Sequence, residues 1–192
     1  KEAENLERSL EQIKEKDLTI QSLQDAINKR DSVTFALVTS LKGATVGIDD
    51  EDISINVEKG VVYVSISDKL LFTSGSSKLS KEALAVLGKV AQVLKSQPEL
   101  EFMVEGHTDN KAVRQGASFE DNWELSAERA ASVVRVLEKD FSIKPERMTV
   151  AGKGEYAPVA SNDSAEGRAQ NRRTRIVILP KLDEFYSLIE EG

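Results

Sequence analysis

The chain has 192 residues, 40% hydrophobic and 31% charged, and its 26 Lys+Arg against 33 Asp+Glu give a net charge of −7. One ordinary domain with an appendage fits that length, and two catalytic domains do not. No cysteine and one histidine, His107, exclude thiol catalysis, disulfides and Cys/His metal sites; the acidic balance argues against nucleic acid, and no apolar run reaches the roughly 18 residues of a membrane span.

Lys1-Glu2-Ala3-Glu4 is neither an initiator methionine nor a signal peptide, so the natural N-terminal segment, with whatever anchored the protein, is expected to be missing. Residues 1–42 contain no Gly or Pro and interleave charges with sparse aliphatics, which predicts a long helix. Leu6, Ile13, Ile20 and Ile27 recur every seven residues, with Leu10 and Leu23 beside them, while the other seam position holds Ser9, Lys16 and Arg30. Two readings stay open: a solvated spacer, or a weak coiled coil pairing two copies of the chain. The more apolar end, with Val33, Phe35, Leu37, Val38 and Leu41, is expected to dock on the domain that the later residues form.

From residue 53 the period changes to two. Ile53, Ile55 and Val57, then Glu58-Lys59-Gly60, then Val61 to Ile66 read as a β-hairpin. Leu70-Leu71-Phe72 leads into the small polar loop 73–77, and a helix starts at Ser80 with Leu84, Leu87, Ala91 and Leu94 as its core face; Pro98 stops it near Ser96. Leu100 to Glu105 is a strand ending in Gly106-His107-Thr108-Asp109. A second helix is expected from Asn122 to Asp140, with Ala130, Val133, Val134 and Leu137 inward. A short strand at 148–151, a loop at 152–167 and a last strand at 174–179 complete the order. That order predicts an α/β domain of the α+β two-layer kind: a mixed sheet over residues 53–180 with two main helices on one face, after the long N-terminal helix. Leu182, Phe185, Tyr186 and Ile189 suggest a C-terminal helical tail, 181–192, docked on the domain or used for self-association.

Polar residues at the end of a strand beside a helix start mark the expected site. Arg129 lies one residue from the core position Ala130, at the border of core and solvent, and Leu125 shares its face. If strand end and helix start meet, Asp109 offers an acceptor and Arg129 a bidentate donor to a common pocket, a pairing that suits a zwitterion. A direct Asp109–Arg129 salt bridge is the structural alternative.

Four stretches taken together resemble the C-terminal peptidoglycan-binding domain shared by OmpA, the Pal lipoprotein and the flagellar stator protein MotB. They are Leu71-Phe72-x-x-Gly75-Ser76-x-x-Leu79, Gly106-His107-Thr108-Asp109, Asn122-Trp123-Glu124-Leu125-Ser126-x-x-Arg129-Ala130 and Glu166-Gly167-Arg168-x-x-Asn171-Arg172-Arg173, in family order over about residues 60–180. The resemblance implies a periplasmic, non-catalytic domain of the cell envelope, membrane-anchored in its full-length form, that binds the diaminopimelate of the peptidoglycan stem peptide without a cofactor. It implies that Asp109 and Arg129 grip the zwitterion, that Thr108, Asn122 and Leu125 line the pocket, and that Arg168, Asn171 and Arg172 form the tail motif, as ligand contacts or as scaffold. The polar stretch 110–121 leans toward the MotB type, which keeps open a stator or scaffold role through self-association.

Two chemical motifs compete with this reading. His107 and Asp109 with Ser76 or Ser126 echo part of a Ser-His-Asp triad, but no Gly-x-Ser-x-Gly elbow surrounds either serine. Gly152-x-Gly154-x-x-Ala157 comes after a strand but runs into Pro158 rather than a helix, so it reads as a loop rather than a dinucleotide site. Residues 164–181 carry five basic residues against one acidic, either a basic patch facing an anionic polymer or arginines bracing loops.

Overall fold

The computed structural model describes residues 2–73, 76–114, 116–179 and 187. The expected C-terminal tail, 181–192, lies outside them apart from Ser187. The first element is the single helix α1, Glu2–Ala44. Its side chains are exposed up to the last third of its length, except around Ala26, and only Ala26, Leu37 and Leu41 are buried. Leu37 and Leu41 join the core, with Val38 packed against it. Phe35, expected to dock, is 75% exposed, because the docked face at i, i+4 runs through Leu37 and Leu41 and turns Phe35 outward.

β1, Ile53–Glu58, and β2, Val61–Ser67, form the hairpin in the register Ile53↔Ile66 to Glu58↔Val61. Both turn residues, Lys59 and Gly60, have positive φ, which a two-residue primed turn requires and glycine accepts without strain. A short helix, α2 (Asp68–Leu71), comes next, where the sequence suggested only a lead into a loop; the hydroxyl of Ser67 caps it by accepting the Leu70 N–H. α3, Lys81–Ser96, is capped by Ser80. Its inner face runs through Ala83, Val86, Leu87, Val90, Ala91 and Leu94, while Leu84, expected inward, is 38% exposed. A remote cation closes the far end of α3: the buried Arg147 guanidinium donates to the carbonyls of Leu94, Gln97 and Leu100, adding to the backbone N–H bonds that Gln97 and Leu100 give to the first two.

β3 (Phe102–His107), α4 (Asn122–Lys139) and β4 (Met148–Gly152) form a strand–helix–strand unit with parallel strands. α5, Ala165–Asn171, starts inside the stretch read as loop; Ser164 caps it by accepting the Gly167 N–H. β5, Arg173–Ile178, then enters between β2 and β3, antiparallel to both, giving the order β1-β2-β5-β3-β4. Val62, Val64 and Ile66, Ile176 and Ile178, Phe102 and Val104 point to one side and share a core with α3 and α4. The mixed two-layer α/β architecture is the one the element order predicts.

α4 touches the sheet through two glycines. A Cβ on Gly106 would lie 2.0 Å from the Ser126 carbonyl oxygen, and one on the neighbouring Gly152 would lie 2.8 Å from Ser126 Oγ and 2.9 Å from the Ala127 nitrogen. Only bare backbone lets the helix settle this deep. Gly106→Ala should therefore cost about 3 kcal/mol or more in urea unfolding followed by far-UV circular dichroism. Gly43→Ala, within α1 and with nothing within 4 Å of the added carbon, should be neutral or stabilising.

Candidate functional site

β3 leads through Gly106 and His107 to Thr108 and Asp109, which line an open cleft of roughly 1490 Å³. The loop after β4 runs alongside: Lys153 N–H donates to the Gly106 carbonyl and Thr108 N–H to the Gly154 carbonyl, both at 2.9 Å. Thr108 Oγ1 donates to the Asp109 carbonyl at 2.9 Å. The carboxylate of buried Asp109 accepts the Lys111 N–H on Oδ1 at 2.9 Å and Arg172 Nη1 on Oδ2 at 2.6 Å. Asn122, at the start of α4, ties the loops together, its Nδ2 donating to Glu155 Oε2 at 2.6 Å, the Lys111 carbonyl at 3.0 Å and the Asp109 carbonyl at 3.4 Å.

Arg129 enters the same cleft from α4. Its Nη1 donates to Asp68 Oδ2 at 2.5 Å, its Nε to the Ser76 carbonyl at 3.2 Å, and its guanidinium lies 5.1 Å from the centre of the Phe72 ring. Both members of the Arg129–Asp68 pair are under a tenth exposed. Burial pushes the Asp68 carboxyl up, Arg129 and Arg172 pull it back part of the way, and it settles at about 6. Asp109 and Arg129 thus do not bridge each other, as the salt-bridge alternative had it; each is held by a different partner. Neither partner is sequence-local, Asp68 lying 61 residues from Arg129 and Arg172 lying 63 from Asp109.

Of the expected residues, Thr108, Asp109, Asn122, Leu125, Arg129 and Arg172 line the cleft. Arg168 and Asn171 do not. Arg168 donates to the carbonyls of Asn162 and Asp163, and fully buried Asn171 accepts the N–H groups of Val159 and Ala160 and donates to Ala160 O and Asn162 Oδ1. Both brace the loop that precedes α5. The basic stretch spends its charge in the same way, with Arg172 on Asp109, buried Arg173 on the Asn171 and Ala157 carbonyls, and Arg175 on Glu105; Lys181 lies outside the described residues. Asp68 and the Ser76 carbonyl are the site groups the sequence reading missed. The available signal was Ser67, a cap-type residue at the end of the alternating strand with an acid behind it.

The serines and histidine are committed elsewhere. His107 is 1% exposed, with Nε2 3.4 Å from Glu105 Oε2; burial lowers its pKa, and Arg173 and Arg175 add to that. Ser126 Oγ donates to the Trp123 carbonyl and accepts the Gly154 N–H, and Ser76 Oγ accepts the Lys78 N–H; among the described residues neither serine is bonded to the imidazole. Gly154 has φ +55 and opens no helix. Among the described residues no cluster of three or more His, Asp or Glu could hold a metal ion, and no helix is long and apolar enough to cross a membrane.

On the sheet face opposite the helices, Glu105 accepts from both Nε and Nη2 of Arg175, whose guanidinium lies 4.8 Å from the centre of the Tyr63 ring. Burial alone raises the Glu105 carboxyl, but the bonds from His107 and Arg175 outweigh it and bring it down to about 2. A folded-state value below the ordinary 4.5 means that this carboxylate stabilises the fold above that pH, and that the gain is lost as pH falls through about 2. Acid unfolding between pH 4.5 and 2 should accordingly be shallower in Glu105→Gln than in the unaltered protein, with the difference read as urea midpoints at each pH.

A model of the OmpA family matches residues 71–172. Motility protein B of Bacillus subtilis is 35% identical over 120 residues, covering 62% of this chain and 46% of the relative. Among solved structures, a MotB-like protein from Desulfovibrio vulgaris aligns with a TM-score of 0.74 at 28% identity over 80% of this chain and 95% of its own. The cell wall anchor of the type VI secretion system from Pseudomonas aeruginosa aligns with a TM-score of 0.64 at 29% identity over 75% and 97%. The chain spans about half the length of curated relatives such as motility protein B.

Proposed function

The chain belongs to the OmpA family, and from that premise we propose that it binds peptidoglycan without catalysis, holding the diaminopimelate of a stem peptide and so tethering an envelope protein to the cell wall on its periplasmic side. The observation that carries the reading is the pair of opposite charges in one cleft, Asp109 and Arg129, each held ready by a separate partner rather than by the other. The ligand's ammonium takes the place of Arg172 on Asp109, and its carboxylate goes to Arg129. Leu125 and Phe72 give its methylene chain an apolar wall.

Arg172 is the yielding member, with 40% of its side chain exposed against 9% for Asp109. Its guanidinium is free to move into solvent, and the incoming ammonium then compensates the buried Asp109 carboxylate in its place. Charge-assisted hydrogen bonds of about 1.5–3 kcal/mol each, less desolvation, give modest affinity per site, and many sites on one polymer give avidity. The Pseudomonas neighbour described as a cell wall anchor supports the same reading. α1, with 43 residues at 1.5 Å each, extends about 65 Å and serves as a spacer between the domain and its point of attachment.

Retention on purified sacculi and calorimetric titration with meso-diaminopimelate test the reading. Asp109→Asn with Arg129→Ala should cut retention at least tenfold while the thermal transition persists; unchanged retention overturns the assignment. Release of soluble fragments from the sacculi would show an enzyme instead.

A further inference from the structure

The groove around Arg129 contains a carboxylate that a simple two-point grip does not need. Asp68 is 6% exposed, sits at the first position of α2, and donates its own N–H to the Arg172 carbonyl at 3.1 Å. Its Oδ2 holds Arg129 Nη1, and its Oδ1 has no hydrogen-bond partner among the described residues. With Nη1 on Asp68 and Nε on the Ser76 carbonyl, Nη2 is the one guanidinium nitrogen of Arg129 without a hydrogen bond among the described residues. The charged groups facing Asp68 are Arg129 from α4, Arg172 and Arg173 from the junction of α5 and β5, and Asp109 from the loop after β3.

We propose that Asp68 is a positioning residue for the diaminopimelate site, orienting Arg129 toward the ligand carboxylate while opposing that carboxylate with its own negative charge, so that protonation of Asp68 tightens the grip. The proposal rests on the peptidoglycan reading above and adds its regulation by pH. The physical ground is competition. A ligand carboxylate on Arg129 comes to rest beside a buried carboxylate that already takes part of the same positive charge. Two carboxylates on one arginine are easier to accommodate when one carries a proton. Asp68 already titrates at about 6, and a second anion at Arg129 raises that value further. The complex therefore binds a proton that the free protein releases above pH 6, and affinity rises as pH falls toward 6 and levels off below it.

Titration of the unaltered protein with meso-diaminopimelate at pH 5.5, 6.5 and 7.5, in buffers of differing ionisation enthalpy, reads both affinity and proton uptake. About tenfold tighter binding at pH 5.5 than at pH 7.5 is expected, within the limit of tenfold per pH unit that one linked proton sets, with fractional proton uptake largest at about pH 6.5. Asp68→Asn keeps a side chain that can accept from Arg129 but loses the charge; it should bind at pH 7.5 about as tightly as the unaltered protein does at pH 5.5, with no proton uptake. Asp68→Ala, lacking the brace as well, should bind more weakly than the asparagine variant. A pH-independent constant in the unaltered protein, or weaker binding by Asp68→Asn at pH 7.5, overturns the proposal and leaves the peptidoglycan reading standing. No binding by either protein at any pH overturns that reading and this role with it. Should the variants fail to fold, a carbon-13 titration of the Asp68 carboxyl in the unaltered protein decides: a midpoint moved upward by saturating ligand supports the role, and an unmoved midpoint overturns it.

Discussion

The contact between α4 and the paired glycines Gly106 and Gly152 sets the geometry on which the rest of the domain depends. The Ser126 carbonyl lies where a side chain on Gly106 would begin, so the helix backbone rests directly on the sheet. Asp109 lies three residues after Gly106 and Arg129 three after Ser126, so the contact fixes the spacing of the two charges before any interaction between them is counted. Further along α4, Ala130, Val133 and Leu137 continue the same buried stripe into the core. Ser126 then uses its hydroxyl to accept the Gly154 N–H, which draws the loop after β4 against the end of β3. Dense packing transmits position well because it leaves neighbouring backbones little room to slide.

Given that spacing, the charges sort themselves by burial. Arg129 is deep in the domain and needs a carboxylate that is equally deep, and the cap at Ser67 that starts α2 supplies one in Asp68. Leaving either alone would strand a buried charge, which costs several kcal/mol. Asp109 sits nearer the opening and takes Arg172, whose outer half is in water. The two pairs together are electrically neutral, so a neutral zwitterion can enter without changing the total charge of the cleft. In the basic stretch of sequence, Arg172 and Arg175 are paired with carboxylates, while Arg168 and Arg173 brace backbone carbonyls.

The range of the forces involved decides which features were legible in the sequence and which were hidden. Hairpin, helices and strands were legible because period, caps and Pro98 act over a few residues, and Asp109 and Arg129 were legible because four separate motifs kept their family order. The Asp68–Arg129 pair spans 61 residues; the Ser67 cap marks Asp68 as the start of a helix, but nothing local ties it to Arg129. Arg147 closing α3 from 47 to 53 residues away is the same kind of event. α5 was hidden for another reason. Its third residue is Gly167, which reads as a loop former, yet glycine is there because the Ser161 carbonyl lies 1.9 Å from where its Cβ would be. A residue chosen for close approach looks, in sequence, like one chosen for a turn.

The division of labour between the two ion pairs bears on how a weak-binding module can also be selective. Arg129 is held on Nη1 by Asp68, on Nε by the Ser76 carbonyl and across its face by Phe72, so little rotamer freedom remains to be lost when a ligand arrives. Asp109 is fixed on one oxygen by the Lys111 N–H, while its other oxygen is covered only by a half-exposed arginine. One end of the site is therefore rigid and partly neutralised, and the other is exchangeable. A rigid, partly neutralised cation attracts anions in general only weakly, so a free carboxylate gains little there. On the proposed reading, a ligand that also carries an ammonium at the right distance collects the second interaction on Asp109 as Arg172 leaves. Selectivity for a zwitterion, on that reading, comes from requiring both ends at once, in a cleft whose net charge draws neither anions nor cations by itself.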